Sequence, residues 1–396
     1  MTPVVNTHVH VPPNFSAFAT PTEVIAAASC EGVRALGVSN FFDTRVYARI
    51  RDLAGEAGIL ALYGVEFITV VPDLAERGIR INDPANPGRM YLTGKGVDPF
   101  RPRSAANRAT AAKIRQGNDQ RAALMVSRLA GHFGRAGFET GLDATAIAAV
   151  VASRAGVPVA WVSLQERHIA QAFQEALWQL RSAERQRILQ RVYDQPSSVA
   201  ETDATGLQAE LRARLLKAGT PGFAPEVPLS FEEAYAYILG LGGIPCYPVL
   251  ADGCDPVCPF ESSPEHLADE LSSRGIYAAE LIPVRNHLGV VDEFVRTLHE
   301  AGLIVMGGTE HNTLDRIPLD PAALDAPLGD SIRQIFAEAA SVVAAHAQRV
   351  GQGRPGYVAD DGTRRGGGRR FAQLVKEGTA LIGGSLGDRP NPPDNG

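Results

Sequence analysis

Apolar and polar positions change their period several times along the chain, and those changes divide it. Over residues 4–67, short β-branched runs alternate with stretches of helical spacing bounded by start and stop signals. Residues 4–11 predict a first strand. Thr20-Pro21-Thr22-Glu23 then supplies an N-cap, a proline at the first helical position and a carboxylate in the first turn, and Gly32 ends the helix so begun. Residues 33–39 predict a second strand, 44–57 a second helix and 60–67 a third strand. Strand precedes helix each time, which favours a parallel sheet.

Between about residues 81 and 194 the alternation blurs. A Pro/Gly/Arg-rich segment at 82–103 precedes long helical stretches such as 167–192, with a strand expected at 158–163 and a connecting loop at Gln195-Pro196-Ser197-Ser198. The whole of about 81–228 reads as a helical insertion. Regularity returns at Ser230, where Ser230 and Glu233 form a capping-box pattern on a helix that ends at Gly242-Gly243. Strands at 244–247, 278–282 and 303–307 then alternate with helices at 264–273 and 290–301, and a further helix is expected near 331–348. Short connections of this kind suit an α/β barrel occupying 1–350. Gly-Arg runs at 364–370 and the terminal Asn391-Pro392-Pro393-Asp394-Asn395-Gly396 predict a flexible tail over 351–396.

Composition narrows the function classes. The chain of 396 residues is 45% hydrophobic and 21% charged, with no apolar run near the ~18 residues of a membrane span, so a soluble protein without a membrane partner is expected. His8 and His10 interrupt the first apolar stretch before it resembles a secretory signal, and the expected location is cytoplasmic. Cys30, Cys246, Cys254 and Cys258 are too scattered for a disulfide framework. A net charge of -6 offers no footprint for nucleic acid. A small molecule is the expected partner.

The candidate chemistry gathers at strand ends. In Asn6-Thr7-His8-Val9-His10, residues two apart share a face, so His8 and His10 point the same way; alone, such a pair is either two ligands of one metal or a core and a surface histidine. Glu66 lies at the C-terminal end of the third strand in Tyr63-Gly64-Val65-Glu66, and Glu310 and His311 lie just past the last in Gly307-Gly308-Thr309-Glu310-His311-Asn312. A parallel barrel builds its site at the C-terminal ends of its strands, where these groups would converge. Imidazole with carboxylate suits Mn, Fe or Zn, an ion that activates water and neutralises charge on a phosphoryl oxygen. Arg89 and Lys95, in a glycine-rich segment, are either anion-binding residues or part of a solvated loop. His132, His266, His299 and His346 fall in expected helices, with ordinary structural or surface roles.

The strand-one His-x-His, the Gly-Val-Glu of strand three and the late Gly-Thr-acid loop together resemble the polymerase and histidinol phosphatase (PHP) family. Gln165-Glu166-Arg167-His168-Ile169-Ala170 resembles the family's Gly-Arg-Pro-His-(Ile/Phe)-Ala segment, residues 229–248 its Ser-Leu-Glu-Glu-Ala…Gly-Gly-x-x-x-x-His-Pro segment, and Ala279-Glu280-Leu281 its Ile-Glu-Val strand. The resemblance spans Asn6 to Thr313, weakly over the insertion. It implies a distorted seven-stranded (β/α) barrel, one to three divalent ions and, most often, phosphoester hydrolysis. Three usual histidines are replaced: Asp-His after strand two is Ser39-Asn40, His-Pro is Tyr247-Pro248, and Gly-Ser-Asp-x-His is Gly308-Thr309-Glu310-His311-Asn312.

The resulting expectation is a metal-dependent hydrolase of a small anionic phosphoester. His8, His10, Glu66 and Glu310 are the expected ligands, with Asn40, His311 and Asn312 completing the shell. Glu66, Tyr247 and His168 are the catalytic candidates, and Arg89, Lys95 and Arg167 hold the anion. Tyr247 either points into the site as an acid or donor or fills the space of a lost ligand, and His168 is either a ligand or phosphate contact or the cap of its own helix. The alternatives are hydrolysis of an amide, ester or lactone, and a non-catalytic binding protein with a degenerate metal site.

Overall fold

The strands pair into one sheet in the computed structural model, which describes residues 2–226, 228–365 and 367–384. They are β1 (Val4–Val9), β2 (Val33–Phe41), β3 (Leu60–Val70), β4 (Arg89–Lys95), β5 (Leu229–Ser230), β6 (Ile244–Val249), β7 (Ala278–Leu281) and β8 (Ile304–Gly307). Their order is β1-β2-β3-β4-β6-β7-β8, with the short β5 paired to β3. All pairings are parallel except those of β4, which runs antiparallel to both β3 and β6. A parallel bridge from Val9 to Glu310 brings the end of β8 back to β1 and nearly closes a seven-stranded barrel.

The helices are α1 (Pro21–Cys30), α2 (Tyr47–Ala57), α3 (Pro72–Glu76), α4 (Ala105–Arg135), α5 (Ala144–Ala155), α6 (Glu166–Trp178), α7 (Ser182–Tyr193), α8 (Ala204–Leu211), α9 (Phe231–Gly240), α10 (Pro264–Ser273), α11 (Leu288–Glu300), α12 (Asp330–Gly351) and α13 (Gly368–Gly384). The chain forms two units, one of Met1–Val11, Pro21–Thr110 and Pro228–Gly396, the other of Pro12–Thr20 and Ala111–Val227. None of the described helices is long and apolar enough to cross a membrane.

The first unit is the barrel. Strands covered on both faces must bury nearly every side chain, and the four residues of β7 and of β8 are all buried. Close approach of β1 and β2 requires Gly37, where a Cβ would stand 2.1 Å from the Thr7 carbonyl oxygen. α9 opens on the expected capping box: the Glu233 backbone N–H donates to Ser230 Oγ (3.1 Å) and the Ser230 N–H to the Glu233 carboxylate (2.9 Å). α12 packs on β1, β8 and α13.

The second unit is the helical insertion, and it has its own core, in which Leu129, Phe133, Ile147, Phe173, Leu189 and Leu211 are buried together. Residues 158–163 form a turn of 3-10 helix at Val159–Trp161, not a strand, because no described strand in this unit offers an edge to pair with. The stretch 167–192 is two helices, α6 and α7, and Arg185 of α7 stacks 4.3 Å over the ring of Trp178 at the end of α6.

Two further expectations are revised. β4 lies inside the stretch read as insertion; its Pro- and Gly-rich flanks mark the ends of a strand that returns against β3. Within the expected tail, α13 packs Leu374 and Ile382 into the first unit, while residues 385–396 lie outside the described residues.

His346 on α12 ties three segments together. Its Nε2 donates to the Gly242 carbonyl (2.8 Å) and its Nδ1 accepts the Tyr357 backbone N–H (2.9 Å), which only a neutral ring can do. Burial pulls its pKa from 6.5 down to about 4, against the Gly242 hydrogen bond. A folded-state pKa below the unfolded one gives stability that is complete above pH 6.5 and lost as the pH falls through 4. The loss through this residue should be about 3 kcal/mol, at ~1.4 kcal/mol for each tenfold change in proton affinity. His346→Gln should be less stable at pH 7 yet lose less on going to pH 4, read from urea-unfolding midpoints of both proteins.

Candidate metal centre

β1 runs into His8-Val9-His10, and the two imidazoles lie side by side with ring centroids 5.2 Å apart. Glu66, in register with Phe41 at the end of β2, approaches the two imidazoles from β3. Its Oε2 stands 3.3 Å from His8 Nε2 and 3.7 Å from His10 Nε2. All three residues are buried, and their donor atoms lie within 4.8 Å of one another.

Behind His8 is a second set of charges. His8 Nδ1 lies 2.6 Å from Glu280 Oε2. Glu280 Oε1 accepts from Thr7 Oγ1 (2.8 Å) and pairs with Lys95 Nζ (2.6 Å). Lys95 Nζ also donates to the Thr7 carbonyl and to Ser39 Oγ, both at 3.0 Å. Glu280 is 0% exposed and Lys95 3%.

Desolvation works against the charges of His8, Glu280 and Glu66, and pairing outweighs it. Burial pulls His8 down, but the Glu280 carboxylate overcomes both burial and the repulsion of Lys95 and raises it to about 9. Burial pushes Glu280 up, and Lys95 and His8 together bring it to about 2. Glu66 is likewise pushed up by burial and pulled below the usual carboxylate range by His8 and His10. Positive charge is therefore favoured at the point where the three residues meet.

A divalent ion fits there. His8 Nε2 is buried without a well-formed hydrogen bond, as a nitrogen awaiting a ligand would be. Imidazole and carboxylate donors suit Zn, Mn and Fe. Ligands ~2.0–2.1 Å from one tetrahedral ion stand about 3.4 Å from each other, and the two measured spacings, 3.3 and 3.7 Å, bracket that value.

The backbone after β8 fixes the ligands in place. The N–H groups of Thr309 and Glu310 donate to the His8 carbonyl (3.1 and 2.8 Å), and the His10 N–H donates to the Glu310 carbonyl (2.8 Å). To do this Glu310 and His311 both adopt left-handed backbone, at φ 64° and 54°, at a cost of roughly 1–3 kcal/mol each. Gly308 is needed beside them, since a Cβ there would stand 2.4 Å from that of His8.

Other residues singled out from sequence have different employment. Asn40 spends its side chain on Val11, accepting from its N–H (2.8 Å) and donating to its carbonyl (3.0 Å), so its oxygen is not turned to a metal. The Glu310 carboxylate pairs with Arg285. Both ring nitrogens of His311 are engaged, with Thr309 Oγ1 (2.8 Å) and the Ile317 carbonyl (2.9 Å). Asn312 follows, half-buried. Tyr247 turns its hydroxyl to Glu261 Oε1 (2.7 Å) and its ring to Phe260; burial there lifts the Glu261 carboxyl to about 7, against the hydrogen bonds it accepts from Tyr247, Leu250 and Ala251.

The two candidate anion-binding residues of the barrel cannot share one phosphate. β4 holds Arg89 and Lys95 at its opposite ends, roughly 20 Å apart at about 3.4 Å per residue. Arg167 and His168 belong to the second unit. His168 Nδ1 accepts the Gln165 backbone N–H (3.1 Å) as the cap of its own helix, and burial, then Arg154, lowers it to about 3. Arg167 lies 6.0 Å over the Phe15 ring.

No family model and no curated protein matches the chain. Solved structures do. A protein from Bifidobacterium adolescentis, assigned as a metal-dependent phosphoesterase, superposes with a TM-score of 0.56 at 17% identity over 85% of this chain and 96% of its own. An amidohydrolase from Chromobacterium violaceum, solved with bound sulfate and no metal, gives 0.52 at 19% identity over 84% and 96%. The chain shares their fold.

Two residues of the site region were not assigned a role from sequence. Glu280 carries a signal, a carboxylate inside the otherwise apolar run of β7, where a buried charge must have a partner. Arg285 carries none, since only the closed barrel brings it to Glu310. Asn40→Ala should cost about 1–3 kcal/mol, because it strands the buried N–H and carbonyl of Val11. A thermal or urea unfolding curve checks this.

Proposed function

We propose that this chain is a divergent PHP-type hydrolase that uses one or more divalent metal ions to cleave a small phosphorylated metabolite. The observation that carries the reading is the buried group of His8 and His10 at the end of β1 with Glu66 of β3, aimed at one point and biased towards positive charge. These three residues hold the metal. When bound, a divalent ion supplies Lewis acidity and water activation near neutral pH.

The protein's own groups do the rest. Glu66 takes up a proton from the reacting water or orients it with the carboxylate oxygen not given to the metal. Burial keeps bulk water from the ligands and strengthens every charge interaction among them. Arg285, in the turn after β7 and paired with Glu310 on the segment that clamps His8 and His10, receives the anionic group of the substrate. It takes the place that Lys95, committed to Glu280, cannot fill.

A second reading keeps the metal and changes the bond cleaved, to an amide, ester or lactone. It is favoured by the amidohydrolase, whose fold this chain shares over almost the same length as that of the phosphoesterase.

Elemental analysis of the purified wild type beside His8→Ala and Glu66→Ala, followed by a panel of phosphomonoesters, amides and lactones with Mn, Fe or Zn supplied, tests both. The expected result is a bound ion that falls in both variants, with phosphoester turnover that follows it. Arg285→Ala should keep the ion and raise KM by about tenfold, the loss expected for one charge-assisted hydrogen bond. A wild type that takes up no ion sinks the metal reading, and a metal-loaded protein that cleaves only amides or lactones replaces the substrate class.

A further inference from the structure

Glu280 links a ligand of the candidate metal to the buried lysine beneath it through its two carboxylate oxygens. We propose that Glu280 and Lys95 are positioning residues that set the tautomer of His8, and so decide which ring nitrogen faces the metal. The inference rests on the metal-binding part of the reading above and on no part of its substrate class.

An ionised carboxylate only accepts hydrogen bonds, and an ammonium only donates them. Glu280 Oε2, 2.6 Å from His8 Nδ1, therefore requires the proton to sit on Nδ1. Nε2, whose proton a bound metal would displace, is left as the nitrogen that faces Glu66 Oε2 at 3.3 Å. The carboxylate could satisfy His8 in this way only if its other oxygen is occupied by donors, and it is: Lys95 Nζ at 2.6 Å and Thr7 Oγ1 at 2.8 Å. Lys95 is itself oriented by the Thr7 carbonyl and Ser39 Oγ, both of which accept from it. The lysine can only donate and the ionised carboxylate only accept, so the donations of Lys95 and of His8 Nδ1 both end on Glu280, and Nε2 is the nitrogen left for the metal. Carboxylates behind metal-ligating histidines orient the ring and raise its basicity; here the lysine fixes the carboxylate in turn.

This relay responds to substitution in a way that a merely structural ion pair does not. In Glu280→Gln the amide must turn its oxygen to Lys95 and Thr7, both donors, and its NH₂ to His8. His8 Nδ1 then accepts, Nε2 carries the proton, and the metal is refused. In the double variant Lys95→Met with Glu280→Gln the amide is free to turn round, its oxygen to His8 Nδ1 and its NH₂ to Thr7 Oγ1, and the metal-ready tautomer returns.

Titration with Co²⁺, followed by its visible absorption, measures affinity in wild type, Glu280→Gln and the double variant, with circular dichroism to confirm folding. The single variant should lose roughly 10–100-fold in affinity, and the double variant should recover most of that loss. A single variant that binds as wild type, or a folded double variant that binds no better than the single, overturns the proposal. If the variants do not fold, proton NMR of Co²⁺-loaded wild type decides: a shifted imidazole N–H that exchanges slowly with solvent is expected from His8 Nδ1 behind fully buried Glu280, and its absence overturns the proposal. Wild type that binds no Co²⁺ overturns this and the metal reading together, whereas the predicted order of affinities without any hydrolysis supports it and counts against the hydrolase reading alone.

Discussion

A carboxylate taken completely out of water has to be compensated on the spot, and in this protein that carboxylate is Glu280. An uncompensated buried charge costs several kcal/mol, so the barrel interior must supply partners in good geometry. It does so from around its circumference: Thr7 and His8 from β1, Ser39 from β2 and Lys95 from β4 converge on or beside the one acid of β7. These strands are not neighbours of β7 in the sheet. The charges therefore span the barrel, and the three candidate ligands sit directly on that cross-brace. Changing any one brace residue reaches the site through His8.

Much of this fold was legible because hydrophobic period and cap chemistry are local. β1 to β3, the capping box at Ser230 and Glu233, and the strand and helix alternation after Ile244 all follow from residues within a few positions of each other. β4 was not legible, since its identity depends on two antiparallel neighbours, one of them about 150 residues away, at Cys246. Residues 158–163 failed for the complementary reason: a β-branched run is a strand only where an edge is available.

At the site, the local rule again did best. Alternation along β1 put His8 and His10 on one side, and β3, in register with β2, brought Glu66 to them. What composition and spacing could not reveal was how each remaining polar group is spent. Asn40 has oxygen to offer a metal, yet a single backbone segment, Val11, claims both ends of its amide. Lys95 has the charge to hold a phosphate, yet it faces inwards because strand alternation and an acid on β7 claim it first. A side chain's capacity is written in its type, and its use is settled by the competitors around it.

The closure of the barrel has a further meaning. The seam between β8 and β1 is sewn by peptide groups, the N–H groups of Thr309 and Glu310 and the carbonyls of His8 and Glu310, with the left-handed turn supplying the geometry. Asn6 Nδ2, donating to Thr309 Oγ1 (2.6 Å), and Thr7 Oγ1, donating to the Gly307 carbonyl (3.1 Å), reinforce the seam, and neither bond involves the side chain of Glu310 or His311. Scaffold and reactivity are thereby uncoupled at this edge: the loop can exchange its imidazoles and acids for other groups without opening the barrel, which makes it a natural place for a lineage to trade one metal stoichiometry, or one substrate, for another.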